Sequence, residues 1–162
     1  MGLGAFQNLA ETVRLVPGLQ PQTINGSAVA SQFFNMGKYE HLSALVYIGT
    51  HGAAMTITVT QSQDSAGTGE TAIPFDYYSP ATTGNDVLGA RNTAAASGVA
   101  TDGATANIIY AIELNAAQLA SGYNWVRVKL SAPGVNTLVA VIPALTTARY
   151  AGQPANMPSA LV

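Results

Sequence analysis

The chain is short of several things at once, and each shortage removes a class of function. It has no cysteine among its 162 residues, which excludes disulfides, thiolate metal sites and cysteine nucleophiles. Asp, Glu, Lys and Arg together make up 9% of residues, against about 25% in an ordinary soluble domain. Six basic residues and a net charge of -2 do not make the clustered positive footprint that a nucleic acid requires. The longest apolar runs, such as Leu138 to Ile142, fall far short of the ~20 residues that cross a bilayer as a helix. The start, Met1-Gly2-Leu3-Gly4-Ala5-Phe6, has neither the basic residues nor the apolar stretch of a secretory signal.

Chemistry-bearing residues are equally sparse. Two histidines, His41 and His51, fall at opposite ends of one apolar run, too far apart to share a metal, and both read as surface residues. There is no G-x-S-x-G elbow for a serine nucleophile. The turn Gln63-Asp64-Ser65-Ala66-Gly67-Thr68-Gly69 lacks the Lys-Ser/Thr pair of a phosphate loop and runs into a strand, not a helix. Most acidic residues stand in turns or at strand ends. Glu113 alone is embedded in an apolar run, where Arg127 or Lys129 across a sheet is the expected partner. These readings give no catalytic, cofactor-binding or metal-binding residues, and the chain is expected not to be an enzyme.

What is present is strand patterning. Met55, Ile57 and Val59 alternate with Thr56, Thr58 and Thr60, the period of a half-buried strand. Leu42 to Ile48 is apolar at nearly every position, which predicts a strand covered on both faces. The connection Gly49-Thr50-His51-Gly52 suits an antiparallel hairpin between the two. Further strands are expected at Ser27–Phe34, Ala72–Tyr78, Asn107–Leu114 and Thr137–Ile142, with Asn25-Gly26 as a tight hairpin turn. In Tyr123–Leu130, Val126, Val128 and Leu130 point inward and Trp125, Arg127 and Lys129 outward. Asn115 begins a short helical turn that ends at Ser121-Gly122.

Ser79 to Ala106, rich in Ala, Thr, Gly and Ser, predicts a long excursion holding a short edge strand and a surface that reaches out. Phe6, Leu9, Ala10, Val13 and Val16 have the spacing of an amphipathic helix over Ala5–Val16, packed on its own domain or laid as an arm on a neighbour. The tail after Ala148, with Pro154 and Pro158, reads as a second arm.

About seven short strands with turns every 8–12 residues predict an all-β antiparallel sandwich, with a jelly roll as a variant. The expected organisation is an N-terminal arm and first strand over 1–35, a sandwich over 36–150 and a tail over 151–162. A polar but uncharged surface is poorly defended against association, which points to permanent assembly. The expected contact residues are Phe6, Leu9 and Val13 on the arm and Tyr123 and Trp125 on the sheet. The last pair is also the stacking platform that a carbohydrate-binding module would need.

One resemblance adds to this. Asn35-Met36-Gly37-Lys38-Tyr39, an apolar strand, a Gly-rich turn, and Met55 to Asp64 followed by Gly67-Thr68-Gly69 resemble small structural proteins from the head gene modules of tailed bacteriophages. Ile112-Glu113-Leu114, Gly122 to Val128 and Ala148-Arg149-Tyr150 fit the same group. The resemblance implies a virion component on the capsid surface, a decoration or cement protein that binds the major capsid protein, assembles as a homotrimer and bridges capsid subunits. No cofactor, nucleic acid or membrane is expected as a partner. A tail or head-tail adaptor protein and a carbohydrate-binding module are the alternatives. The chain departs from short capsid-stabilising proteins in its Thr/Ala-rich loop and its proline-containing tail.

Overall fold

Two antiparallel sheets close over a single apolar core, and most connections carry the chain from one sheet to the other. The computed structural model describes residues 9–81, 84–148 and 159–161. In chain order it has α1 (Leu9–Thr12), β1 (Val13–Leu15), β2 (Leu19–Ile24), β3 (Val29–Ala30), β4 (Phe34–Asn35), β5 (Tyr39–Ile48), β6 (Thr56–Ser62), β7 (Thr71–Ile73) and β8 (Phe75–Tyr78). There follow β9 (Pro80–Ala81), β10 (Gly84–Leu88), β11 (Asn92–Ala94), β12 (Val99–Ala100), β13 (Ile108–Asn115), β14 (Trp125–Leu130) and β15 (Thr137–Ala148).

The first sheet runs β1-β15-β5-β13-β8-β11, with β2 continuing the β1 edge along β15. The second runs β12-β6-β14-β3, with β7 beside β12 on β6 and β4 beside β3 on β14. Number the eight main ladders in chain order as β2, β3 with β4, β5, β6, β7, β13, β14 and β15. The sheets then read 1-8-3-6 and 2-7-4-5, the order of a jelly roll. The segment between β7 and β13 is inserted into that plan, adding β8 and β11 to one sheet and β12 to the other and pairing β9 with β10 as a separate two-stranded sheet.

The core is built by alternation. Leu42, Ala44, Val46 and Ile48 of β5 and Ile108, Ile112 and Leu114 of β13 are fully buried and face Ile57, Val59, Val126, Val128 and Leu130 of the second sheet. The inward pattern expected for β14 and β6 holds. In β5, however, His41, Ser43, Leu45 and Tyr47 are half-exposed, so this stretch is buried on one face and partly covered on the other.

Several expectations are corrected by pairing. The run Leu42–Ser62 is not a hairpin: β5 pairs with β13 and β15, while β6 pairs with β14, β7 and β12. Both strands carry an apolar face, and those faces bury each other best across the sandwich, so the connection arches between sheets. Asn25-Gly26 likewise makes a crossing, since β2 lies in one sheet and β3 in the other. The strand expected over Ala72–Tyr78 is split at Pro74, which has no N–H to continue a ladder; β7 stays in the second sheet and β8 enters the first. Ser27–Phe34 contributes only the short β3 and the start of β4.

The helix expected over Ala5–Val16 is also overturned where it is described. Only Leu9–Thr12 is helical; Val13–Leu15 form β1 on β15, and Val16 is in the core. β1 and β2 are one edge interrupted at Pro17-Gly18, opposite Pro143 of β15, whose missing N–H leaves nothing for the edge to accept there. A Cβ on Gly18 would lie 2.6 Å from both Pro143 Cδ and the Val141 carbonyl oxygen, so only glycine passes this point. At the other end, Ser159–Leu161 is no free arm: Ala160 is buried, and its carbonyl accepts from Asn35 N–H at 2.7 Å.

Candidate docking face and polar pocket

Cross-strand register turns the outer face of the first sheet into ranks of side chains. One rank runs Ile142–Leu45–Ala111 across β15, β5 and β13, and the next runs Ala140–Tyr47–Ile109. Leu15 stands opposite Ala144 on the β1 edge, and Leu138 continues the line along β15. Leu15 is 51% exposed, Ile142 48% and Leu138 37%. These three exposed apolar side chains share one sheet face, with half-buried Leu45, Tyr47 and Ile109 and buried Ala111 and Ala140 in the ranks beside them. The arrangement arises because β15 is apolar on both faces: Val139, Val141 and Leu145 fill the core, leaving Leu138 and Ile142 outside.

One rank further on, the face turns polar. Ser43, Glu113, Asp76 and Thr93 follow one another across β5, β13, β8 and β11. Glu113 Oε1 accepts from Ser43 Oγ–H at 2.7 Å, and its Oε2 lies 2.6 Å from His41 Nε2. His41 Nδ1 is 2.9 Å from Asn115 Oδ1. Asp76 Oδ1 accepts from Thr93 Oγ1–H at 2.6 Å, and Arg91 donates to Oδ2. The Thr93 hydroxyl and the Arg91 guanidinium hold Asp76 below the usual carboxylate range. His41, Asp76, Tyr78, Arg91, Glu113 and Asn115 line a shallow pocket of about 220 Å³. The expected partner for Glu113 is thereby corrected, since Arg127 and Lys129 lie on the other sheet and hold Glu70 instead.

The second sheet presents a different face. Glu70 accepts from Thr60 Oγ1–H at 2.7 Å and from Arg127 Nε–H at 2.8 Å; Lys129 Nζ stands 3.5 Å away, and the Arg127 guanidinium lies 4.4 Å over the Phe33 ring. Burial pushes the Glu70 carboxyl up, but the Arg127 and Thr60 hydrogen bonds and the charges of Arg127 and Lys129 outweigh it and bring it to about 2. Trp125 is half-buried on this face between Asn35 and Ser62, with Tyr123 just before the strand.

Of the expected contact residues, Leu9 is exposed and Val13 half-buried beside the first sheet's edge, and Tyr123 and Trp125 belong to the second sheet. The structure does not bring the two groups together on one face. Phe6 lies outside the described residues. His51 is not a surface residue: its side chain is fully buried, with Nδ1 3.1 Å from Asp102 Oδ1 and 3.2 Å from the Thr105 carbonyl, and Nε2 2.8 Å from Thr101 Oγ1. Two acceptors at Nδ1 assign its proton there. The ring pins the β5–β6 arch to the loop before β13. Among the described residues no three His, Cys, Asp or Glu side chains converge as metal ligands.

No protein-family model matches the chain, and no curated protein matches it. Among solved structures it is similar to the crystal structure of the SPBc2 prophage-derived protein YomS, at 12% identity and a TM-score of 0.47, over 83% of this chain and 93% of that one. A likeness of that degree leaves function to be read from the chain's own residues.

The outer apolar ranks were within reach of the sequence. Leu138 to Ile142 has no polar residue in five positions, which marks a strand apolar on both faces. Leu15 was hidden because the helical spacing of Leu9, Val13 and Val16 around it masked a strand. The meeting of Asp76 and Glu113 had no sequence signal, because it depends on β8 leaving one sheet for the other at Pro74.

Proposed function

We propose that the protein is a non-enzymatic structural component of a tailed-phage virion that sits on the capsid surface and bridges subunits of the major capsid protein. The observation that carries this reading is the exposed apolar area around Leu15, Leu138 and Ile142 on a chain with so few charges. A freely diffusing monomer with such a face and little charge repulsion would self-associate, whereas docking on a shell buries it. The rigid two-sheet scaffold and the resemblance of residues 36–150 to phage head proteins support the same reading. Three copies per site, as a homotrimer, would multiply weak contacts into firm attachment.

The test is direct. Peptides of the protein are expected in purified virions of the phage that encodes it, and the purified chain is expected to co-sediment with empty capsids at a saturating stoichiometry. Virions without the protein, or capsids that leave it in the supernatant, would overturn the reading. Recovery with isolated tails instead would favour the tail or adaptor alternative.

A further inference from the structure

The polar pocket on the first sheet is unused by shell docking. We propose that it is a binding site for a neutral saccharide, one sugar ring lying against Tyr78 with its hydroxyls donating to Asp76 and Glu113.

The first reason is that the arrangement is costly. Glu113 and Asp76 stand directly opposite each other on adjacent strands, and like charges in that position destabilise a sheet. A chain with eight acidic residues in all places two of them there, Glu113 held by the Ser43 hydroxyl and the His41 ring and Asp76 by the Thr93 hydroxyl and the Arg91 guanidinium. Such a local conflict marks a functional position more often than a structural one.

The second reason is the remaining hydrogen-bonding capacity. Among the described residues each of the four carboxylate oxygens has one hydrogen-bond partner and two lone pairs, so each can accept once more. Arg91, whose side chain is 63% exposed, has further N–H donors, and Asn115 offers its amide N–H groups while its oxygen faces His41. Acceptors that take hydroxyl protons, donors that reach hydroxyl and ring oxygens, and an aromatic wall together match a polyhydroxylated ring. The two carboxylates repel a phosphate or sulfate. Arg91 disfavours a cation. The volume of about 220 Å³ is below the roughly 300–1,000 Å³ of sites for drug-sized ligands, which fits one ring of a glycan whose remainder lies outside.

The site also differs from the one that the carbohydrate-binding alternative would place at Tyr123 and Trp125. Those residues are on the opposite sheet, where the nearest charged groups, Glu70, Arg127 and Lys129, are engaged with one another.

The experiment is an array of neutral and acidic glycans probed with the full chain, followed by calorimetric titration with the free methyl glycoside of the strongest hit. Neutral glycans are expected to bind. Glu113→Gln and Arg91→Ala are each expected to weaken binding at least tenfold while thermal melts stay within a few degrees of the parent, and Trp125→Ala is expected to leave binding unchanged. Because Glu113 is partly buried, the exposed Arg91 keeps the test decisive if Glu113→Gln fails to fold. No neutral glycan above background, binding to acidic glycans alone, binding retained in Arg91→Ala, or binding lost in Trp125→Ala would each overturn the proposal. Shell binding is read separately by sedimentation, so either proposal can fail alone.

Discussion

At the scale of single residues, the most consequential polar group is Glu70. It gathers Thr60, Arg127 and Lys129 around one carboxylate on the outer face of the second sheet, and Arg127 in turn covers Phe33. Its carboxyl is brought from 4.5 to about 2 in the fold, so the folded state binds its proton less readily than the unfolded chain does. The stability this contributes is fully present above about pH 4.5 and is lost as pH falls toward about 2. Glu70→Gln is expected to cost about 2 kcal/mol at neutral pH by leaving Arg127 without its ionised acceptor. It is also expected to flatten the acid limb of the stability curve, which urea melts at a series of pH values would show. An unchanged acid limb would mean that Glu70 is not the controlling carboxylate. In the core, Ile57 is fully buried between the sheets, and Ile57→Ala is expected to cost about 2–5 kcal/mol through lost burial and the cavity left behind.

At the scale of elements, the interrupted edge formed by β1 and β2 is the weak joint. It depends on Gly18 passing under Pro143, and Gly18→Ala forces its methyl to within 2.6 Å of backbone and proline atoms. The expected result is a loss of about 1–3 kcal/mol, with hydrogen-exchange protection falling first in residues 13–24 and holding in β5 and β13. Uniform loss of protection would show that the edge and core open together. The same elements show how far the sequence could be read. Period-two alternation predicted β6 and β14 and their inward faces, because side-chain period is a local property. Partner choice is not local: β5 and β6 are adjacent in sequence and both apolar, yet the hairpin expected between them is a crossing. Nothing in Gly49-Thr50-His51-Gly52 distinguishes a turn within one sheet from an arch between two. The arch is held by buried His51 and its bonds to residues 101–105, some fifty positions later. Pro74 splits the strand expected over Ala72–Tyr78, and which sheet β8 then joins is again a non-local choice, so the Asp76–Glu113 pairing has no sequence signal.

At the scale of the whole molecule, the two faces of the sandwich divide the work. The second sheet's outer face is polar and internally paired, whereas the first sheet's outer face is apolar beside β1 and β15 and polar beside β8. On the proposed function, the β1–β15 half is the docking half. Removing Met1 to Val16, which a free arm would tolerate, deletes β1 and the buried Val16, so it is expected to damage the edge itself. A chain starting at Val13 is the sounder probe of the preceding segment. The decisive substitution is Ile142→Asp. Ile142 is 48% exposed and contributes little to the core, so its thermal melt is expected to stay close to that of the parent. A charge at the centre of the docking face would have to be desolvated on contact, and the capsid-bound fraction is expected to fall at least tenfold, as would Leu15→Asp. If both variants sediment with capsids as the parent does, the shell contacts another face, and the half-buried Trp125 on the second sheet becomes the place to substitute next.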